Sequence, residues 1–379
     1  MAVRVLRIQR LIGLACAAIS ILAGVAAIWA TETEWPDASA VVGVSVENPL
    51  ADVALAIDPH FQLVQFQEHY DGVYYYTIAL DPFARGAEHE LVDEWSYRYG
   101  RPLHGWLAAL LSFGDRTLIP EAMLLLSLAG LGLSGYLASR LSVQFGRTPW
   151  GGLVIAMMPG LLFSATVSTT EPLGVALVIG LVLAWARRSS PWVIGILSIL
   201  VCLDREALVS VVVGLAIFYA VDSWRQRRRF AAAEWSRLTA LALGPLVLAS
   251  WLVYMTRVSG ALARPVSGTV DLPFRGWLET FHYARWLQLD GNLGYQQIGS
   301  TAASFLIAML VLLLTALWVA RRVRTPIEGV LVVQVLVVLT YGWRTLVYPH
   351  EMYRIPVLAV LAAIAVIVLR PTAPDRRDD

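Results

Sequence analysis

The chain has 379 residues, of which 58% are hydrophobic and only 15% are charged. A soluble domain usually carries about a quarter charged residues, so this composition excludes an ordinary soluble protein. The net charge is only +1, and we expect no nucleic-acid partner. Apolar segments of about 15–20 residues recur along the sequence, which predicts an all-α, polytopic helical membrane protein.

The N-terminus places three arginines before an apolar run over residues 11–30. That run is too long for a signal-peptide core and is predicted to be a retained first span. Nine further spans are predicted at 117–138, 150–168, 172–186, 191–203, 207–221, 238–256, 301–319, 326–341 and 355–369. The whole chain, residues 1–379, is therefore predicted to be one integral membrane domain with about ten transmembrane helices.

Charge asymmetry orients these spans. With the N-terminus inside, 18 of the 29 arginines fall in inner segments, and 22 of the 28 acidic residues fall on the outer side or in the outer halves of the segments. Arginine is enriched in cytoplasmic loops, so we predict that both termini lie in the cytoplasm. All 29 basic side chains are Arg, which together with the Ala, Val, Leu and Gly bias suggests a GC-rich bacterial genome, so the membrane is predicted to be a bacterial plasma membrane. The regions are a first outer loop at 31–116, spans two to seven at 117–256, a second large outer loop at 257–300, the last three spans at 301–369 and a cytoplasmic tail at 370–379.

A short apolar segment at 102–114 complicates this scheme. It would form about 20 Å of helix against a hydrocarbon core of about 30 Å. We interpret it as a partly inserted or broken helix on the outer side, because a full crossing would invert every later loop. In the second outer loop, residues 276–289 are predicted to form an amphipathic interfacial helix with aromatic anchors.

The first outer loop is acidic and aromatic between residues 58 and 104. Asp58 and Pro59 are typical of a helix start, with Asp at the N-cap and Pro in the first turn. Asp81 and Pro82 would end that helix. One face of it would carry an acid, two tyrosines and an apolar anchor, namely Asp71, Tyr74, Tyr75 and Ile78.

A carboxylate between aromatic rings suits a general base for a sugar hydroxyl, with the rings stacking on the sugar. The alternative is an interfacial helix whose tyrosines lie at headgroup level. Further along, Asp93 and Glu94 precede Arg98 and Arg101. Carboxylates beside arginines can hold a metal or orient a phosphate, or they can form a solvated helix start.

Two stretches of this loop, HYDGVYYYTIALDP at 69–82 and SYRYGRPLHGWLAALLSFG at 96–114, resemble the GT-C superfamily of membrane glycosyltransferases. More distantly, the first is similar to the WDG-x-x-Y pattern of the mannosyltransferases that build GPI anchors. TTEPLGVAL at 169–177 and LDREALV at 203–209 resemble two later elements of the superfamily, although Asp204 stands where Thr is more usual. The likeness covers roughly residues 58–230.

The resemblance implies transfer of a sugar from a polyprenyl-phosphate donor on the extracytoplasmic face. Asp71 matches the essential loop aspartate of the superfamily, and Arg98 and Arg101 match its basic residues before the next helix. Arg205, in a turn at membrane depth, and Arg354, in the last outer turn, are further candidates for binding the donor phosphate. Arg205 can instead form an internal salt bridge with Asp204 or Glu206.

Candidates for contacting the sugar or the acceptor are Tyr74, Tyr75, Asp93, Glu171 and His104. Glu171 can also be a first-turn residue favoured by the helix dipole. No compact metal-ligand spacing is present, so no metal site is predicted, and Mg²⁺ or Mn²⁺ is an optional cofactor. If the interpretation holds, Asp71, Glu171, Arg205 and Arg354 should converge on one outward-facing cavity.

The sequence and its resemblance thus favour an inverting glycosyltransferase that is embedded in the bilayer and acts at its outer face on a cell-envelope glycan or glycolipid acceptor. Two alternatives from other classes stay open. One is a transporter or flippase of lipid-linked saccharides, and the other is a non-catalytic scaffold for assembly of cell-surface glycopolymers.

Overall fold

The computed structural model describes residues 2–31, 37–65, 71–225, 231–260, 268–321 and 323–369. Within these ranges the regular structure is helical. The only extended pairings there are two isolated bridges, Ser45 with Val64 and Val270 with Tyr341. The predicted all-α fold of a helical membrane protein is therefore confirmed.

The first half of the chain contains a long N-terminal helix, four short helices in the segment predicted as the first outer loop, and three helices that follow it. They are α1 (Ala2–Thr31), α2 (Leu50–Ile57), α3 (Gly72–Leu80), α4 (Trp95–Arg98), α5 (Leu103–Leu111), α6 (Ile119–Gln144), α7 (Pro159–Thr166) and α8 (Glu171–Ala186). A 3₁₀ segment, Pro149–Met157, precedes α7.

The second half alternates long helices with short ones near the outer loops. They are α9 (Pro191–Asp204), α10 (Val209–Arg225), α11 (Ala232–Ser259), α12 (Arg275–Leu289), α13 (Leu293–Ala320), α14 (Pro326–Leu339), α15 (Trp343–Val347), α16 (Pro349–Arg354) and α17 (Val357–Leu369). The helix predicted at 276–289 corresponds to α12. Its buried side includes Trp277, whereas Leu278 and Leu289 are exposed.

Six helical segments in the described ranges are long and apolar enough to cross a bilayer. They are Arg4–Thr31, Arg116–Gln144, Glu206–Arg225, Ala232–Ser259, Leu293–Ala320 and Glu351–Val368. The 3₁₀ segment and α7 together form a seventh candidate that bends by 57°. Three apolar helices, α8, α9 and α14, are shorter. Each predicted span overlaps one of these elements, but length and composition support six or seven crossings, so the count of ten stays a prediction.

The long helices pack in neighbouring pairs: α1 and α8 lie against α6, α9 lies against α11, and α10 lies against α14. Apolar side chains fill the interior of this bundle, and other apolar side chains on the same helices are exposed. Apolar side chains can stay exposed on the outside of a helix bundle in a bilayer, because the surrounding hydrocarbon does not require a polar protein surface.

The first outer loop is fixed firmly onto the bundle. Helix α3 packs on α5, and Gly72 at its start lies so close to a neighbouring loop that a Cβ would come within 2.6 Å of the carbonyl oxygen of Val167. The Tyr99 hydroxyl donates to the carbonyl of Asp81 at 2.9 Å, and the Trp251 indole donates to the carbonyl of Tyr99 at 2.6 Å. These bonds tie the loop to α11.

One predicted boundary is wrong. Asp58 does not cap the start of a helix but follows the last residue of α2, with φ −134° and ψ 108°. A residue before proline is pushed towards extended backbone, so the Asp58–Pro59 step ends a helix here instead of beginning one. The helix that carries the tyrosines starts only at Gly72 and ends before Asp81, as expected.

Candidate functional site

Asp71 lies immediately before α3 and forms an ion pair with a residue 283 positions later in the chain. Nη2 of Arg354, the last residue of α16, donates to Oδ2 of Asp71 at 2.6 Å and to Oε1 of Glu351 at 2.6 Å. Arg354 is 3% exposed, whereas the Asp71 side chain keeps a quarter of its surface accessible. The aspartate is therefore anchored from inside and open on one side.

Arg98, at the end of α4, lies on the other side of this carboxylate. Its Nη1 is 3.9 Å from Oδ1 of Asp71, and its Nη2 is 3.4 Å from Oδ2 of Asp93. The guanidinium covers the ring of Tyr74 at 3.9 Å, and the Tyr74 hydroxyl donates to Asp93 at 2.8 Å. The structure thus joins Asp71, Tyr74, Asp93 and Arg98 in one group.

Arg354 also links this group to the start of α8. Its Nε is 3.6 Å from Oε1 of Glu171, and Arg205 donates to that same oxygen at 2.6 Å. Arg205 follows the last residue of α9 in extended backbone. Its partner is Glu171, so the alternative of a salt bridge to Asp204 or Glu206 is wrong about the partner, although Arg205 is indeed ion-paired.

We call this continuous set the Asp71 cluster; it comprises Asp71, Asp93, Arg98, Glu171, Arg205, Glu351 and Arg354. Charged side chains at helix ends in a membrane bundle are costly to bury and are typical of functional sites. Replacing buried ion pairs with apolar residues is often neutral or stabilising, so stability alone does not account for the cluster.

A second ion pair lies beside the cluster. Arg101 donates through Nε and Nη2 to both carboxylate oxygens of Glu206, at 2.9 and 2.8 Å, and also to the Tyr97 hydroxyl at 2.6 Å. Planar, two-point pairing of this kind is the strong geometry for arginine. Arg101, like Arg98, Arg205 and Arg354, is therefore matched by protein carboxylates.

A small cavity of about 100 Å³ opens where the start of α8 and the turn after α9 meet α14, α15 and α17. Part of its wall carries charged and hydroxyl side chains, chiefly Tyr97, Arg101, Thr170, Glu171, Asp204, Arg205, Glu206 and Tyr341. The rest of the wall is apolar and includes Val175, Leu208, Val270, Ile355, Val357 and Leu358. Pockets for drug-sized ligands measure about 300–1,000 Å³, so this cavity is smaller than a typical ligand site.

The predicted convergence is seen in part. Glu171 and Arg205 line the cavity. Asp71 and Arg354 do not line it but are joined to it through Glu171. Tyr75 and His104 lie deeper: they are 4% and 0% exposed, and their rings meet edge to face at 5.2 Å. Stacking of Tyr74 or Tyr75 on a sugar would require these buried rings to be uncovered.

Electrostatics and burial set the protonation of Asp71 and of His104. Burial alone would raise the pKa of Asp71, but the guanidinium groups of Arg354, Arg98 and Arg101 outweigh it and hold the pKa of that carboxyl well below its usual range. Burial without a hydrogen-bond partner disfavours the charged form of His104 and lowers its pKa to about 4. We conclude that Asp71 is ionised and His104 neutral near pH 7.

Three contributors were not foreseen as site residues from the sequence. Glu351 is three residues before Arg354, a helical spacing that favours ion pairs, and that signal was available. Glu206 stands in the LDREALV element at 203–209, but its partner Arg101 is 105 residues away. Asp204 accepts a hydrogen bond from Thr170, its other oxygen has no partner, and it is 1% exposed. No local pattern predicts that contact.

The comparisons with known proteins add no assignment to this geometry. No family model, curated protein or solved structure matches the chain.

Proposed function

We propose that the chain is a membrane glycosyltransferase that moves a sugar from a polyprenyl-phosphate donor to a glycan or glycolipid acceptor of the cell envelope. The observation that carries the proposal is the Asp71 cluster, in which a partly accessible carboxylate is held between Arg98 and Arg354 at one end of an apolar helix bundle. The arrangement combines an oxygen acceptor for a hydroxyl with guanidinium groups suited to phosphate.

The low pKa of Asp71 makes it a weak base while both arginines face it. A donor phosphate that takes hydrogen bonds from Arg98 or Arg354 would compete for the same guanidinium groups. The pKa of Asp71 would then rise towards its ordinary value. In this scheme the donor itself prepares the aspartate to accept the proton of the acceptor hydroxyl.

The bond changes are those of a single displacement. The acceptor oxygen forms a bond to C1 of the sugar, the bond from C1 to the phosphate oxygen breaks, and the lipid phosphate leaves with the electron pair. The hydroxyl proton passes to Asp71, and attack opposite the leaving group inverts C1. Because phosphate is a fair leaving group, positioning and charge neutralisation would supply much of the acceleration.

A divalent cation fits this site only as a companion of the substrate. No group of three or more potential His, Cys, Asp or Glu ligands occurs among the described residues. Mg²⁺ is commonly held by one or two carboxylates together with substrate phosphates, and Asp71 and Asp93 could supply such carboxylates. When bound, the cation would neutralise phosphate charge.

The test is replacement of Asp71 by Asn, with Asp52→Asn as the control, because Asp52 lies exposed on α2 of the same loop. Cells that lack the chain would be complemented with each variant, and envelope glycans and polyprenyl-phosphate sugars quantified. We expect Asp71→Asn to lower glycan formation by about 100-fold or more, the range of general-base catalysis, with accumulation of donor. A well-folded Asp71→Asn protein that restores full glycan formation would refute the proposal.

A transporter of lipid-linked saccharides is the second candidate, favoured by one observation. The bent pair formed by Pro149–Met157 and Pro159–Thr166 is a discontinuous element of the kind that transporters place at their substrate sites. The two functions differ in product. A transporter would change the membrane side on which the donor accumulates without consuming it, whereas a transferase would consume it.

A further inference from the structure

A second arginine site lies at the end of the bundle opposite the Asp71 cluster. Glu171 is the first residue of α8, and Arg187 directly follows its last residue. At 1.5 Å per residue, about 24 Å separates the two ends. By the distribution of arginines, this second end is the one predicted to face the cytoplasm.

Two arginines meet there without an acidic partner. Arg187 donates through Nε to Oε1 of Gln144 at 3.4 Å, and Arg140 lies one helical turn before Gln144 on the same face of α6. Burial, followed by the like charge of Arg140, lowers the pKa of Arg187. Nη1 of Arg140 is buried and has no hydrogen-bond acceptor. Among the described residues, neither arginine forms an ion pair with a carboxylate.

A cavity of about 490 Å³ adjoins this pair. Gln144 belongs to its wall, whereas Arg140 and Arg187 lie beside the cavity and do not line it. The wall also carries basic and acidic side chains and aromatic rings from α8 and α10, namely Arg188, Arg237, Arg324, Asp222, Glu234, Trp185, Phe218 and Tyr219. The anion would therefore be held by Arg140 and Arg187 outside the cavity, away from Asp222 and Glu234, while the aromatic part of the cavity wall offers an apolar surface. This combination suits an anionic amphiphile better than a small free anion.

Exposed tryptophans place this end at the membrane surface. Trp192 is the second residue of α9, Trp224 lies near the end of α10 and Trp235 lies near the start of α11, and they are 80%, 79% and 56% exposed. Tryptophan collects at the level of the lipid headgroups. Arg140 and Arg187, at the ends of α6 and α8, thus lie at the depth of lipid phosphates.

We propose that Arg140 and Arg187 bind the phosphate of an anionic phospholipid from the inner leaflet, with part of the lipid in the adjoining cavity. Basic pockets between transmembrane helices on the cytoplasmic side are suited to such headgroups. The bound phosphate would relieve the repulsion between the two guanidinium groups. The site is separate from the Asp71 cluster and does not depend on the function proposed for it.

The experiment titrates purified protein in neutral detergent with dioctanoyl phosphatidylglycerol and follows thermal unfolding. Parallel titrations use dioctanoyl phosphatidylcholine, glycerol 3-phosphate and inorganic phosphate. We expect phosphatidylglycerol to stabilise the wild type, and Arg140→Gln or Arg187→Gln to weaken that binding by about tenfold or more, as for loss of a charge-assisted hydrogen bond. Arg7→Gln, an exposed arginine on α1 at the same predicted face, is the control and should bind normally.

The melting temperature measured without lipid distinguishes this proposal from a purely structural role for Arg140. Removal of one of two repelling charges should leave the lipid-free melting temperature of Arg140→Gln equal to or above that of the wild type, whereas loss of a structural contact would lower it. Equal phosphatidylglycerol binding by Arg140→Gln and wild type would overturn the proposal. Equal binding of phosphatidylcholine, or of the soluble phosphates, would also overturn the assignment to an anionic lipid.

A further measurement needs no variant. Binding of phosphatidylglycerol to the wild type should weaken between about 50 and about 500 mM salt, because ions screen the attraction. Binding that is indifferent to salt would contradict a site built on arginine charge.

Discussion

Arg354→Gln is the substitution expected to disturb the candidate site most. Arg354 is 3% exposed, and its guanidinium contacts Asp71 and Glu351 at 2.6 Å each and Glu171 at 3.6 Å. Glutamine keeps some of the side-chain volume but removes the charge. Three carboxylates would then face one another with one cation fewer.

The cost follows from burial. Loss of one partner of a buried ion pair costs about 3–5 kcal/mol. Because the side chains of Asp71 and Glu351 are 25% and 21% exposed, water offsets part of this, and we take about 3 kcal/mol. With an unfolding entropy of about 2.1 cal/mol/K per residue, that loss lowers the melting temperature of a chain of this size by about 4 °C.

The assay is thermal unfolding of the detergent-solubilised protein, with Arg116→Gln as the matched control. Arg116 is also ion-paired, to Glu88 at 3.0 Å, but its side chain is 51% exposed. Exposed pairs contribute at most about 1 kcal/mol, so the control should shift the melting temperature by about 1 °C or less. Equal shifts in the two variants would refute the reasoning from burial.

A double-mutant cycle with Asp71→Asn isolates the Asp71–Arg354 pair itself. Contacting charges typically couple by about 0.5–3 kcal/mol, whereas independent sites add. The double variant should therefore be destabilised by less than the sum of the single changes. Strict additivity would show that the 2.6 Å contact carries no energy of its own.

Two further outcomes are expected. Glu206→Gln should destabilise the protein by about 2–4 kcal/mol, because the charge of Arg101, 8% exposed, loses its two-point partner; an unchanged melting temperature would contradict this. The pKa of His104 is about 4 in the folded protein, against an ordinary value of 6.5. Between these pH values the unfolded chain binds more protons than the folded protein does. The free energy of unfolding therefore falls as the pH drops from 6.5 to 4, by on the order of 3 kcal/mol. The His104→Leu variant should lose this part of the pH dependence when its melting temperature is measured at several pH values. Identical pH profiles for the variant and the wild type would contradict the prediction.

The sequence predicted those features that depend on residues adjacent to one another in the chain. Hydropathy located the apolar helices, since a helix in lipid must be apolar over its length, and six of these segments are long enough to cross a bilayer. The same length argument explains α5: its nine residues are far too few to cross. The end of α3 at Asp81 was also predictable, because the following proline disfavours a continued helix.

The sequence was uninformative where partners are distant. Nothing near Arg205 indicates Glu171, which lies 34 residues earlier, and Asp71 and Arg354 are 283 residues apart. The Asp58–Pro59 step shows a local ambiguity as well, because the same dipeptide is compatible with the start of one helix and the end of another. Only the packing of α2 decides between them.

The charge balance of the Asp71 cluster limits how a phosphate can bind there. Arg98, Arg205 and Arg354 already face four carboxylates, those of Asp71, Asp93, Glu171 and Glu351. An added anion is disfavoured unless a carboxylate takes up a proton or a cation enters with the phosphate. Asp71 suits proton uptake, since it is the partly open carboxylate placed between two arginines that a phosphate would engage. Under the proposed function, donor binding and proton transfer to Asp71 are therefore linked, and the donor should bind before the acceptor loses its proton.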